Sequence, residues 1–334
     1  MLRRVRLPPE GFSTRCAGFV KLGNVSVSQV IVSAVIPVLN GEAYVAEAIK
    51  SVLAQTFQSL ECIVVDNGST DGTVDVLGAF SGRVTFLRQV GGVAAARNAG
   101  ARAARGRFLA FLDADDMWEP AKVERQMALF ETRPELGLVY CGIRTVDNDG
   151  RCLSSVPAPD PSVALRNTLL DESPYVCLAQ TGIVPRDLFL SVGGFDERLA
   201  KTEDSDLIWR LAVRFPVAAV PEPLARYRRH LGQSHERNLL QREREWKSLL
   251  DSAFHSALLP AEVQRIERRA RTNMSLTLAY LYRRKLSYRA VVHMCQAFRF
   301  SPLHSLRWLA EAAGRRCRRV LRGVALPRRP RRPG

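Results

Sequence analysis

The chain has 334 residues, 46% of them hydrophobic and 25% charged, a composition that belongs to a core-forming protein and excludes a disordered one. Its net charge of +16, from 49 Lys and Arg against 33 Asp and Glu, is carried entirely by the 19 basic and three acidic residues from Ala261 to Gly334; residues 1–260 are balanced. The longest apolar stretch, Val30 to Leu39, is far short of the roughly 20 residues of a membrane span, and the basic opening Met1 to Glu10 leads into no sustained apolar core of the kind a secretory signal carries.

Residues 1–28 show no periodicity and read as a loose extension. Val30 to Leu39 is β-branched and reads as a buried strand, and Glu42 to Ala54 places Val45, Ile49 and Leu53 at helical spacing. The same unit recurs three times: Leu60 to Asp66 then Thr73 to Phe80, Val84 to Leu87 then Val93 to Ala104, Phe108 to Leu112 then Pro120 to Phe130. Repeated strand and helix units predict an α/β fold with a mostly parallel sheet flanked by helices, and ligands bind such sheets beyond the carboxyl ends of their strands. Thr145 to Gly182 reads as irregular and, with the C-terminal tail, is the expected seat of selectivity. Ile208, Leu211 and Ala212 form the inner face of a helix that begins near Glu203. Past residue 236 the chain turns helical and cationic, with amphipathic helices over Glu262 to Arg284 and Tyr288 to Phe300 and an Arg/Pro run from Arg315 to Arg332. The expected boundaries are therefore an extension over 1–28, an α/β domain over 29–235 and a helical basic appendage over 236–334 ending in a disordered tail. Seven scattered cysteines without a Cys-x-x-Cys pair fit reduced thiols and a cytoplasmic setting.

Asp113-Ala114-Asp115-Asp116 sets three carboxylates directly after an apolar strand. Clustered anions repel unless a cation neutralises them, so a divalent metal is one reading and capping of the next helix the other. A calcium EF-hand loop is excluded, because its sixth position needs Gly and holds Trp118. Hard oxygen ligands on an open loop suit Mg²⁺ or Mn²⁺. Glu203 and Asp204, at a helix start, read either as dipole-stabilised caps or as a general base on a rigid element.

Ser33 to Glu42, Val64 to Thr73, Gly92 to Gly100, the Asp-Ala-Asp-Asp cluster, Gly193 to Glu197, Glu203-Asp204 and Tyr227 to His230, in that order, resemble the family 2 glycosyltransferases over about residues 30–235. The resemblance implies a GT-A fold and inverting transfer of a sugar from a nucleotide sugar to an acceptor hydroxyl. Position by position, it implies that Pro37, Asn40, Glu42, Asp66, Arg97 and Asp113 serve the nucleotide sugar. Asp115 and His230 then serve the metal, and Asp204 is the base, with Glu203 shaping the acceptor site. Two positions depart from the pattern: Leu39 stands where many relatives have an aromatic residue, and Asn67 where a second Asp is common. The Gln-x-x-Arg-Trp string of processive synthases is absent, since Gln241 to Trp246 has one residue too many. Transfer of one sugar to a saccharide or lipid-linked glycan is therefore the expected activity. A nucleotide-sugar-binding scaffold without turnover is the alternative, against which the intact Asp115 and Asp204 argue. The basic end suits peripheral contact with an anionic membrane face, and with no recognisable nucleic-acid module it argues against a nucleic-acid partner.

Overall fold

The computed structural model describes residues 30–172, 176–230 and 238–311; the expected N-terminal extension and Arg/Pro tail lie outside them. The seven residues of β1 (Val32–Val38) are all buried. Their side chains alternate between two cores: Val32, Ala34, Ile36 and Val38 meet the apolar face of α1 (Val45–Leu53), while Val35 joins Ala94, Ala96 and Ala101 of α3 (Val93–Ala103) on the other face. Gly100 of α3 permits this approach, since a Cβ there would lie 2.3 Å from Val35. Strand β1 pairs in parallel with β2 (Leu60–Asp66) and β4 (Phe108–Phe111), and β2 with β3 (Thr85–Arg88). The short α2 (Thr73–Gly78) makes the β2 to β3 crossover.

Pro37 sits within this central strand without breaking a ladder. Pairing with β4 ends at Val35 with Phe111, so the N–H that Pro37 lacks faces the side where β4 has already turned away.

The remainder of the sheet comprises β5 (Met117–Trp118), β6 (Leu138–Val146), β7 (Cys152–Val156), β8 (Ile183–Pro185) and β9 (Val217–Arg228), giving the order β3-β2-β1-β4-β8-β6-β9-β5 with β7 on β6. This half is mixed rather than parallel: β8 runs antiparallel to β4 and β6, and only β6 and β9 pair in parallel. A hairpin such as β6–β7 admits only the antiparallel arrangement. The register of β6 on β9 shifts around Gly142, opposite the Pro221 and Pro223 bend; a Cβ at Gly142 would meet backbone atoms of Val156, Ala158 and Glu222 at 2.8–3.0 Å. Five helices complete this part: α4 (Lys122–Thr132), α5 (Pro161–Leu170), α6 (Leu178–Thr181), α7 (Arg186–Ser191) and α8 (Glu203–Ala212). Thr145 to Gly182, expected to be irregular, instead holds the end of β6, β7, α5 and α6.

The C-terminal helices are α9 (Leu239–Phe254), α10 (Ala261–Gln264), α11 (Glu267–Arg284) and α12 (Arg289–Phe300), with residues 302–311 helical beyond them. The single helix expected over Glu262 to Arg284 is interrupted at Arg265 and Ile266. A third core joins Trp246, Leu250, Met274 and Leu278 of these helices to Leu169 and Leu170 of α5 and Trp209 of α8. No described helix is long and apolar enough to cross a membrane.

Candidate active site

The carboxyl ends of β1 and β2 are tied together by side chains reaching across. Asn40 adopts a left-handed φ of 52°, and its Oδ1 accepts the Thr70 N–H at 2.8 Å while its own N–H donates to Ser69 Oγ at 2.9 Å. Glu42 Oε2 accepts the Gly72 N–H at 2.7 Å. Asp66 is buried and accepts the Ser69 N–H at 2.9 Å, and Asn67 Oδ1 accepts from Gly91 and Gly92 at 3.0 and 3.1 Å. Asn40 and Glu42, expected on the nucleotide, thus brace the loop that frames Pro37 and Asp66. Leu39 projects from the strand end, exposed.

The Asp113–Asp116 loop is held between two buried arginines. At one end Asp113 Oδ1 takes Arg97 Nη2 at 2.6 Å, and Arg97 Nη1 donates to Glu203 Oε1 at 3.0 Å. Arg97 is only 3% exposed and lies over the Phe195 ring at 5.2 Å. Burial works against its charge, but Asp113, Glu203 and Asp204 more than offset it and hold its pKa above the ordinary value. At the other end Asp116 Oδ1 accepts the Arg228 backbone N–H at 2.9 Å, and the Arg228 side chain donates to Asp115 O, Asn148 O and Glu47 Oε2 at 3.1, 2.9 and 2.6 Å. Burial and the neighbouring Asp115 and Asp113 raise the Asp116 carboxyl well above the usual range. Each outer carboxylate is therefore committed inward.

Asp115, the middle one, faces out: its Oδ2 lies 2.9 Å from His230 Nε2, with the two side chains 34% and 14% exposed. The His230 ring packs against Tyr44 at 4.7 Å, whose hydroxyl donates to Asn148 at 2.8 Å. Among the described residues no three His, Cys, Asp or Glu side chains group to hold a metal. A carboxylate and an imidazole that converge at a partly open position fit Mg²⁺ or Mn²⁺, which bind through one or two protein ligands and take the rest from water and substrate phosphates.

Asp204, at the start of α8, has both oxygens on the N-terminus of α6, accepting from Leu178 at 2.9 Å and Ala179 at 3.1 Å. Burial pushes its carboxyl up to about 7; Glu203 and Asp113 add to the rise and Arg97 opposes it. Gln180 of the same short helix donates to Asp113 Oδ2 at 2.8 Å, and Cys177 Sγ contacts its Oε1. Glu245 of α9 accepts the N–H groups of Ala200 and Lys201 at 3.0 and 2.8 Å, steadying the loop that enters α8. The sequence reading missed Gln180, Glu245 and the α6 amides. Backbone donors carry no residue-type signal, and a four-residue helix has no period to detect.

A family model described as Glycosyl transferase family 2 matches residues 33–180. An uncharacterised glycosyltransferase of Rickettsia prowazekii (strain Madrid E) is 33% identical over 223 residues, 64% of this chain and 68% of that protein. One of Rickettsia typhi (strain ATCC VR-144 / Wilmington) is 33% identical over 226 residues, 66% and 70% of the two chains. Among solved structures, residues 1–349 of S. aureus TarS superpose with a TM-score of 0.60 at 18% identity, covering 82% of each chain. The Pyrobaculum calidifontis mannosyltransferase PcManGT, solved with GDP-Man and Mn²⁺, gives 0.55 at 18% identity over 86% of this chain and 80% of that one. The shared architecture is the GT-A arrangement, a mixed α/β sheet flanked by helices with further helices after it.

Proposed function

The chain belongs to glycosyl transferase family 2 and is a glycosyltransferase, and from that premise we propose that it moves one sugar, with inversion, from a nucleotide-diphosphate sugar to a hydroxyl of a saccharide or lipid-linked glycan. Residues 29–235 carry the chemistry in this reading and residues 236–334 form a basic helical appendage that favours an anionic membrane face. The donor lies across the carboxyl ends of β1, β2 and β4, its nucleotide framed by Pro37 and Asp66. Asn40, Glu42 and Arg97 support that frame, the last by fixing Asp113. Leu39 gives the base an aliphatic rather than an aromatic wall.

Asp204 is the base. The acceptor oxygen attacks the anomeric carbon, its proton passes to an Asp204 carboxylate oxygen, and the bond from that carbon to the diphosphate oxygen breaks, releasing the nucleoside diphosphate. Each Asp204 oxygen spends one lone pair on an α6 amide and keeps one for this proton. Glu203, paired to Arg97, shapes the acceptor side. Asp115 and His230 would hold a Mg²⁺ or Mn²⁺, which when bound would offer positive charge to the departing diphosphate. The observation that carries the reading is the Asp204 carboxyl, fixed by two amides and pushed up to about 7, where a general base works best near neutral pH.

Thermal-shift screening of nucleotide sugars with Mn²⁺ identifies the donor, because a ligand that binds the folded state raises its apparent stability. With that donor, Asp204→Asn keeps donor binding and loses transfer by about 10²- to 10⁴-fold. Undiminished transfer by this variant removes Asp204 as the base.

A further inference from the structure

A groove of about 670 Å³ opens between the end of α5, α11 and the helix of residues 302–311, far along the chain from the residues of the transfer site. Arg265, Arg268, Arg269 and Arg307 line it, together with Leu303 and Trp308. Two of the three acidic residues that line it are already paired: Glu172 takes Arg269 at 2.6 Å and Asn273 at 3.0 Å, and Glu311 takes Arg307 at 3.2 Å. The third, Asp171, lies in the field of Arg242. Arg265 and Arg268, both exposed, have no carboxylate partner among the described residues, so the groove keeps two uncompensated guanidinium groups. His304 meets Asn273 at 2.7 Å on the same wall.

The helix beside the groove carries leucines on its outer surface. Leu303 is 82% exposed and Leu306 54%, and with Leu309 they recur every third residue, a leucine stripe turned to solvent. The 23 residues that follow Glu311 include nine arginines and no carboxylate. A basic pocket lipped by exposed leucines and followed by an arginine-rich segment has the chemistry of an interfacial helix on an anionic bilayer. Guanidinium forks suit phosphate oxygens in particular.

We propose that this groove binds the phosphate of an anionic lipid, with Arg265 and Arg268 on the phosphate oxygens and Leu303 and Trp308 against the acyl chains, so that the C-terminal helices hold the protein on the membrane surface. The proposal does not depend on the assignment of Asp204.

Trp308 supplies a local readout, because Trp118, Trp209 and Trp246 are buried. Full-length protein is titrated with vesicles of phosphatidylcholine alone, or mixed with phosphatidylglycerol carrying brominated acyl chains. The mixed vesicles quench the tryptophan fluorescence and the phosphatidylcholine vesicles do not; Trp308→Phe removes the quenching without removing sedimentation with the mixed vesicles. Arg265→Ala/Arg268→Ala weakens the quenching titration about 25-fold, taking about 1 kcal/mol for each basic residue near the surface, while Arg328→Ala/Arg329→Ala leaves the quenching at saturation unchanged. Sedimentation without quenching assigns the binding to the arginine-rich end and overturns the proposal. So does a groove that takes soluble glycerol phosphate as tightly as the vesicles and is indifferent to Leu303→Ser, since that marks a site for a soluble phosphate ester.

Discussion

Arg97 and Arg228 occupy matching positions on opposite sides of the Asp113–Asp116 loop, yet they hold it by different means. Arg97 works through its side chain alone, bridging two carboxylates from α8 and the loop, Glu203 and Asp113. Arg228 contributes a backbone N–H to Asp116 as well as a side chain that reaches the carbonyl oxygens of Asp115 and Asn148 and the carboxylate of Glu47, which is half exposed. A buried charge pair is costly to break, because the partner left behind stays buried and charged. A backbone hydrogen bond survives substitution of its residue. The side with Glu203 and the proposed base Asp204 therefore depends on one guanidinium, whereas the side with Asp115 and His230 is held redundantly.

Arg97→Met tests this dependence most severely. It leaves Asp113 and Glu203 without their cation, and the expected loss is about 3–5 kcal/mol in urea unfolding. Where the variant remains folded, the Asp204 carboxyl, now without the cation that opposes its rise, climbs above its value of about 7. A base works only when ionised, so the acidic limb of the pH–rate profile moves to higher pH. A profile that stays in place would separate Arg97 from the proposed base.

The contrast between the two arginines was only half legible in the sequence. The first four strands stood out because apolar runs end in Asn40, Asp66 and Asp113, and their parallel order followed from the helices between them. Past the fourth strand no strand was read: β5 has two residues, β7 is exposed and carries serines, β8 has three residues, and β9 contains two prolines at its bend, while β6 was overlooked despite its apolar start. Arg97 and His230 were visible as residues, but not the burial that turns Arg97 away from solvent onto Asp113 and Glu203. Pro221, Pro223 and Gly142 mark the bend that precedes Arg228, a reason legible only once β6 and β9 are seen side by side.

A third buried cation sharpens what the carboxylates contribute. Lys122 is fully buried, its Nζ has no hydrogen-bond partner, and it lies 4.1 Å from the Trp118 ring centroid. Burial lowers its pKa to about 8 from an ordinary 10.5. A lysine depressed in the folded state costs stability in full below the folded pKa, and the cost disappears as pH rises past the unfolded value. Lys122→Met is therefore expected to stabilise the protein by about 3 kcal/mol at pH 6, with the gain fading towards pH 10.5. Equal stability of the two proteins at pH 6 would mean that the Trp118 face compensates the charge as well as a carboxylate does.

Arg228→Met should have the smallest effect on folding, about 1–2 kcal/mol, because the backbone contact to Asp116 remains and the exposed Glu47 is rehydrated. Its consequence lies at the proposed metal position instead. With the Arg228 side chain gone, Asp115 loses the donor that fixes its carbonyl oxygen, and Tyr44 loses the guanidinium stacked 5.1 Å from its ring, the same ring that packs on His230. Supports of this kind typically change metal affinity by about 10- to 100-fold. Mn²⁺ titration in the presence of a nucleoside diphosphate, read beside urea unfolding, separates the two effects. Weaker Mn²⁺ binding at nearly unchanged stability marks Arg228 as a positioning residue for Asp115 and His230, and the reverse pattern reduces it to a structural strut.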